Sequence, residues 1–258
     1  MVAARDASSV LLLRPAGGLG SPGIEVYMLR RVRSMAFAPG AYVFPGGSVD
    51  PRDAQGEVSW AGPPPRQWGE LLEAPPALAR ALVCAAVRET FEESGVLLAG
   101  PTPDTVVADT SGGDWEAERQ ALLDRSLSLG ELLSRRGLVL RSDLLRPWAR
   151  WITPVPEARR YDTRFFAAAL PPGQRTRDVG GEADQVAWAQ PGNVLATATR
   201  GEVHLLPPTV CCLAQLQTCG HVSAALRAPR QMTPVIPGVI EADGAFWLTV
   251  PADLEYPL

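Results

Sequence analysis

Four charged residues lie close together in this 258-residue sequence: Arg88, Glu89, Glu92 and Glu93, within Arg88-Glu-Thr-Phe-Glu-Glu-Ser-Gly95. On a helix turning about 100° per residue, Glu93 falls about 40° and Glu92 about 60° from Glu89, with Cys84, Val87 and Phe91 on the far side. One face is therefore acidic and the other apolar. Like charges three and four residues apart repel, and acids near a helix C-terminus also oppose the helix dipole. A divalent cation would reverse that penalty. Ligands offering only oxygen suit hard ions, Mg²⁺ or Mn²⁺, rather than zinc. Arg88 is placed to neutralise and orient Glu89 or Glu92. The bland alternative is a solvated acidic face with an ordinary surface arginine.

The stretch Ala77 to Ser94 lacks Gly and Pro, is rich in Ala, Leu, Arg and Glu, and stops at Gly95, which predicts a helix over 77–94. Strands are expected at 8–14 and 24–32, joined as a hairpin through the Gly/Pro turn 15–23, and at 41–44, where Pro45-Gly46-Gly47 stops the chain. Residues 54–76 hold Gly56, Gly62, Pro63-Pro-Pro65, Gly69 and Pro75-Pro76, so they are expected to form an irregular excursion from the core. Further helices are expected at 114–127, 129–136 and 208–218, and strands at 148–153, 164–170 and 185–189. The tail reads as short β pieces around 235–240 and 246–250. Helices and strands mix without regular βαβ alternation, which predicts a mixed-sheet α/β sandwich rather than a doubly wound parallel sheet.

Composition excludes several classes. Apolar residues are 46% and charged residues 20%, a globular mix, and 24 glycines with 25 prolines predict long connections. The longest apolar run, Ala81 to Val87, is seven residues, against about 20 for a membrane span. All 24 basic residues are arginine, so Schiff-base lysine chemistry is excluded and anions must be held by Arg or backbone N–H groups. A net charge of −4 offers no general affinity for nucleic acid. Cys84, Cys211, Cys212 and Cys219 show no CxxC spacing and read as reduced thiols of a cytosolic protein. His204 and His221 are isolated and read as structural.

Gly47-x5-Asp53 followed by Arg88-Glu89-Thr90-Phe91-Glu92-Glu93-Ser94-Gly95-Val96 resembles the Nudix box, G-x5-E-x7-R-E-U-x-E-E-x-G-U with U apolar. Thr90 departs at one apolar position, Asp53 replaces Glu, and residues 54–87 supply 34 intervening positions in place of seven. The peroxisomal-type acyl-coenzyme A diphosphatases, which also carry an insertion inside the box, are similar in these departures. Phe37 to Gly47, Arg88 to Leu98, Trp151-Ile-Thr-Pro154, Arg160 to Phe166 and Leu205 to Thr209 all look like segments of that branch, so the likeness spans roughly residues 8–210.

The resemblance implies a single Nudix-type α/β/α sandwich over 1–258, with insertions at about 54–76 and 111–145 and an extension at about 204–258. It implies Glu89, Glu92, Glu93 and a Gly47 carbonyl as metal ligands for Mg²⁺ or Mn²⁺. Arg88 would brace them, with Glu89, then Glu92, as general base. Glu182 or Asp184 could add a ligand, against the default of a solvated loop acid. Before the box, Arg31, Gly40 and Phe44-Pro-Gly46-Gly47 fit the coenzyme A motif, while Val32 and Ala36 depart from it. Arg33 can reach the same phosphate from three residues away, and Arg159, Arg160 and Arg164 can pair with a 3′-phosphate. The expected substrate is therefore a nucleoside diphosphate derivative, coenzyme A or acyl-coenzyme A. ADP-ribose or NADH hydrolysis, and a non-catalytic nucleotide sensor, remain open at this point. Residues 54–76 would cover the site or meet a second subunit in a homodimer. The ending Tyr256-Pro-Leu258 lacks a Ser-Lys-Leu signal, which favours the cytoplasm.

Overall fold

Val10-Leu-Leu-Leu13 is apolar at consecutive positions, a pattern that suits a strand only if both of its faces are covered. In the computed structural model, which describes residues 2–18, 23–32, 38–177, 183–242 and 245–251, this run lies in β1 (Arg5–Pro15) at the centre of a mixed nine-stranded sheet. Val10 and Leu12 point into one helical layer, Leu11 and Leu13 into the other. The first layer contains α1 (Pro65–Leu72), α2 (Pro76–Ser94), α3 (Gly113–Leu123) and α4 (Leu129–Arg135). The second contains α5 (Pro191–Thr199), α6 (Pro207–Cys219) and α7 (Val222–Arg227). The expected α/β/α sandwich with a mixed sheet is the observed one.

One edge of β1 pairs in parallel with β9 (Tyr161–Ala169) along its length, from Arg5↔Tyr161 to Leu13↔Ala169. Its other edge is shared. β2 (Ile24–Arg31) pairs with β1 only at Leu13 to Pro15, beside the turn, and then diverges. β4 (Gly46–Ser48) takes the other end, opposite Ala7 to Ser9, and between them Val10 donates to the Pro45 carbonyl at 2.8 Å. The diverging β2 pairs with β3 (Ala41–Val43) and β10 (Ala183–Ala189). Beyond them, β11 (His204–Leu205) adds to β3, β8 (Arg146–Ile152) to β9, and β12 (Pro234–Val235) to β8. A small sheet joins β5 (Trp60–Ala61), β6 (Ala99–Gly100) and β7 (Val139–Arg141), and β13 (Gly238–Ala242) with β14 (Ala245–Thr249) forms a hairpin. Splitting the β1 edge brings the Gly46-Gly47 turn into the sheet, directly above α2.

α2 matches its expected range within a residue. Pro76 opens it where no intrahelical N–H is needed, and Gly95, at φ 74°, closes it in the left-handed conformation with its N–H on the Phe91 carbonyl. Every residue from Ala81 to Val87 is buried. Residues 54–76 correct the expectation of an irregular excursion. Pro65 acts as a helix start rather than a breaker, α1 follows, and Trp68 and Leu72, four residues apart, are buried against the core, with Trp68 edge-on to Phe166 at 5.9 Å. The insertion's apolar face is thus covered within its own chain. α3 is shorter than expected because the chain turns left-handed at Arg125, and α5 and α7, both short, went unread in the sequence. All four cysteines are free; burial pushes the Cys84 thiol up to about 12 and Cys211 to about 11, so both are unreactive. Among the described residues, no helix is long and apolar enough to cross a membrane.

The packing of α1 makes a direct prediction. Trp68→Ala should lower unfolding free energy by about 3–5 kcal/mol, whereas Leu71→Ala, on the exposed side of the same helix, should change it by less than about 0.5 kcal/mol. Urea unfolding of both variants decides; equal, small effects would return this segment to the status of a surface excursion.

Candidate active site

Neither glycine of the Gly46-Gly47 turn can carry a side chain, because Gly46 is pressed against β1 and Gly47 against α2. A Cβ on Gly46 would lie 2.5 Å from the Ser8 carbonyl oxygen, and one on Gly47 would lie 2.5 Å from Glu89 Oε1. The Gly46 N–H donates to Glu93 Oε2 at 2.8 Å. Two of the three helix acids are therefore set against this turn by its own backbone.

Arg88 is the centre of the remaining contacts. Its Nε and Nη2 form a fork on Asp53 at 3.0 and 2.9 Å, its Nη1 donates to Glu89 Oε1 at 2.7 Å and Glu92 Oε2 at 3.0 Å, and Nη2 also reaches the Ser48 carbonyl at 3.0 Å. These hydrogen bonds lie in a region where Arg88, Asp53 and Glu92 are all buried. Asp53 is held in turn by a capping box: Asp50 and Asp53 exchange side-chain and backbone hydrogen bonds around the 3-10 turn Pro51–Ala54, and Arg52 forks onto Asp50 at 3.0 Å. The insertion loops out between Asp53 and Arg88, so 35 positions of sequence separation close into a 2.9 Å ion pair. Aspartate at the position where the family pattern has glutamate reaches Arg88 from a backbone drawn close by that turn.

One guanidinium faces three carboxylates, and the electrostatics follow. Burial pushes Glu89 up to about 7, reinforced by Glu92 and opposed by Arg88, and burial also raises Glu92. Burial alone would lower Arg88, but its hydrogen bonds to Asp53 and the charges of Glu89 and Glu92 raise it. Glu92 Oε1 is buried with no hydrogen-bond partner, an unsatisfied acceptor that a cation would satisfy. The donors at hand are all oxygens: Glu89, Glu92, Glu93 and the carbonyl of Gly47. Their chemistry fits a hard divalent cation. The acids nevertheless stand apart from one another: among the described residues no three His, Cys, Asp or Glu side chains form a group that could hold a metal ion. The reason is visible in the contacts, since Arg88 takes one oxygen each from Glu89 and Glu92 while Gly46 takes one from Glu93.

These acids open into a cleft of about 1180 Å³. Of the expected substrate residues, Arg31, Phe44, Gly46 and Gly47 line it; Arg33 lies outside the described residues. Arg160 and Arg164 do not line it. Arg164, only 2% exposed, is committed to Asp6 and Asp162, and Arg160 donates to the carbonyls of Thr153 and Val2. The parallel pairing of β9 with β1 sets Arg164 beside those acids, which corrects its expected place in a phosphate pocket. Arg159 of the same cluster does reach the cleft, as do Arg52, Arg125, Trp151, Thr153 and Tyr161. Arg159, the Trp151-Ile-Thr-Pro154 segment and Tyr161 within Arg160 to Phe166 carried a sequence signal; Arg52 and Arg125 had none. Glu182 lies outside the described residues, Asp184 falls within β10, and His204 and His221 stay away from the cleft.

Comparison with known proteins places this geometry. A family profile described as the NUDT19 Nudix domain matches residues 66–216, more than half of the chain. The Gallus gallus protein named acyl-coenzyme A diphosphatase NUDT19 is 29% identical, with 98% of this chain and 80% of that protein covered. The Homo sapiens protein of the same name is 26% identical over 91% of this chain and 72% of its own length. Among solved structures, a NUDIX hydrolase from Alicyclobacillus acidocaldarius is similar with a TM-score of 0.71 and 29% identity, covering 88% of this chain and 97% of that one.

Glu89 makes stability depend on pH in a definite direction. Its folded value of about 7 lies above the ordinary 4.5, so between these values the native state keeps a proton that the unfolded chain has lost, and stability falls as pH rises through that window. Asp50, held down to about 2 chiefly by its hydrogen bond from Arg52, acts oppositely and only below its ordinary 3.8. In the presence of chelator, the urea midpoint should decline between pH 4.5 and about 7, and Glu89→Gln should flatten that decline. An undiminished slope in the variant would assign the effect elsewhere.

Proposed function

Because this chain belongs to the NUDT19 Nudix domain family and is a Nudix hydrolase, we propose that it cleaves the diphosphate of coenzyme A or acyl-coenzyme A. The products are 3′,5′-ADP and 4′-phosphopantetheine or its acyl form. The observation that carries the reading is the acid set on Arg88, opening beside the Gly46-Gly47 turn into a cleft of about 1180 Å³. That volume lies somewhat above the usual range for small-molecule sites, about 300–1,000 Å³, and suits a long substrate. Its wall mixes cations, Arg31 and Arg159, with apolar surface at Phe44, Trp151 and Phe165, matching a ligand that joins phosphates to an adenine ring and an uncharged arm. A non-catalytic sensor has no need of three mutually repelling acids, each of which raises the cost of the fold.

Glu89, Glu92, Glu93 and the Gly47 carbonyl would hold Mg²⁺ or Mn²⁺. Bound there, such an ion lowers the pKa of water and offsets charge on the diphosphate oxygens. The chain's own residues do the rest. Glu89, at the border of the cleft, serves as the general base that takes the proton from water. The water oxygen forms a bond to phosphorus, the bridging P–O bond breaks, and the departing phosphate leaves with the electron pair. Arg88 keeps Glu89 and Glu92 aimed at the cleft, and the Gly46 N–H fixes Glu93.

Two outcomes are expected. Mass spectrometry after incubation with Mg²⁺ or Mn²⁺ should show 3′,5′-ADP from coenzyme A, with ADP-ribose and NADH turned over more slowly; the reverse order would overturn the substrate assignment. Glu93→Gln keeps an acceptor for the Gly46 N–H but loses the charge, so turnover should fall about 10²–10⁴-fold with circular dichroism and melting unchanged. Wild-type rates in that variant would remove Glu93 from the ligand set.

A further inference from the structure

α3 ends at Leu123, and two residues later the chain enters the left-handed region at Arg125, φ 59°. Glycine is the residue that tolerates this conformation, because a Cβ there crowds the backbone. Of the three non-glycine residues with positive φ among those described, Ala38, Glu73 and Arg125, two line the cleft, and Arg125 is the one with a charge. The turn is held from both sides. Within it, Arg125 N–H donates to the Leu122 carbonyl at 2.9 Å, and Ser126 and Leu127 both donate to Ala121 at 3.0 Å. From the box side, Arg52 Nη1 donates to the Arg125 carbonyl at 2.7 Å and to that of Leu127 at 3.3 Å.

The side chain has no matching structural task. Asp50 is already engaged by the Arg52 fork at 3.0 Å, and Arg125 Nε lies 3.9 Å from it, with the Arg125 side chain 76% exposed. An exposed ion pair at that distance contributes little to stability. Hydrogen bonds link the turn to the acid set through Arg52, Asp50, Asp53 and Arg88 in succession, and both border the same cleft. A planar guanidinium is fitted to phosphate oxygens, which it meets with two parallel N–H groups.

We propose that Arg125, carried on the helical insertion rather than on the Nudix box, is a substrate-binding residue that holds a phosphate group of the nucleotide in the cleft. This rests on the reading of the cleft as the site of a phosphorylated nucleotide and names a contact that the box does not supply. The phosphate is either part of the cleaved diphosphate or the separate 3′-phosphomonoester, and the test distinguishes them.

Arg125→Gly is the decisive variant, because glycine suits the turn and the protein should melt at the same temperature or higher. The KM for coenzyme A should rise about tenfold while kcat changes less than threefold, and Arg125→Lys should recover part of the loss. An equal rise for 3′-dephospho-coenzyme A places Arg125 on the diphosphate; a rise for coenzyme A alone places it on the 3′-phosphate. Unchanged KM for both substrates, or a lower melting temperature with kcat falling in step, overturns the proposal. Calorimetric titration with 3′,5′-ADP separates the two readings: should the wild type cleave no coenzyme A, the proposed reaction fails. Weaker binding of 3′,5′-ADP by Arg125→Gly would still support the contact, whereas equal binding or none by either protein would overturn it.

Discussion

A single buried guanidinium balanced against three carboxylates is the constraint around which this molecule is arranged. Arg88 can satisfy Asp53 with a fork and still donate to Glu89 and Glu92, but one positive charge cannot neutralise three negative ones. Breaking such a buried set from one side costs about 3–5 kcal/mol, so the fold around it must supply both its partners and its access to solvent. The excess negative charge is what makes the site receptive to a cation, and Glu92 Oε1 is buried there without a hydrogen-bond partner. Burial, reinforced by the neighbouring Glu92, raises Glu89 to about 7.

The rest of the fold reduces the cost of this arrangement. Acids in the last turns of α2 oppose the helix dipole, and two cations offset that from outside the helix. Arg119, 2% exposed, donates to the Glu92 carbonyl at 2.9 Å, and the Arg177 guanidinium lies over Gly95, where a Cβ would meet its Nη1 at 2.6 Å. Arg119 is itself tied to Glu116 on α3, so the helical insertion steadies the box helix as well as bordering the cleft. The split edge of β1 does complementary work: by ceding its first half to β4, it sets the Gly46-Gly47 backbone within reach of Glu89 and Glu93.

The insertion inside the box shows how a local pattern survives interruption. The Nudix box pattern separates the first acid from the arginine by seven positions, whereas here α1 intervenes, packs Trp68 and Leu72 into the core, and returns the chain to α2 with Asp53 against Arg88. The interaction is preserved because it is spatial, and the shorter aspartate is compensated by the tight 3-10 turn that carries it.

Taken by itself, the amino-acid sequence determined what depends on neighbours along the chain. The box helix and its end at Gly95, the acidic face of Glu89, Glu92 and Glu93, the two-sided burial of Val10 to Leu13, and the glycine turn before the box follow from local periodicity and steric limits. Residues 65–72 misled only because prolines that open a helix look like prolines that break one. Tertiary structure alone decided the matters of long-range register: that Asp53 closes onto Arg88, that Arg164 is sealed between Asp6 and Asp162 while Arg159 faces the cleft, and that Arg125 lines the cleft from the turn after α3. These follow from which strand pairs with which edge of β1 and from where an insertion folds back, and neither is encoded in the spacing of the residues concerned.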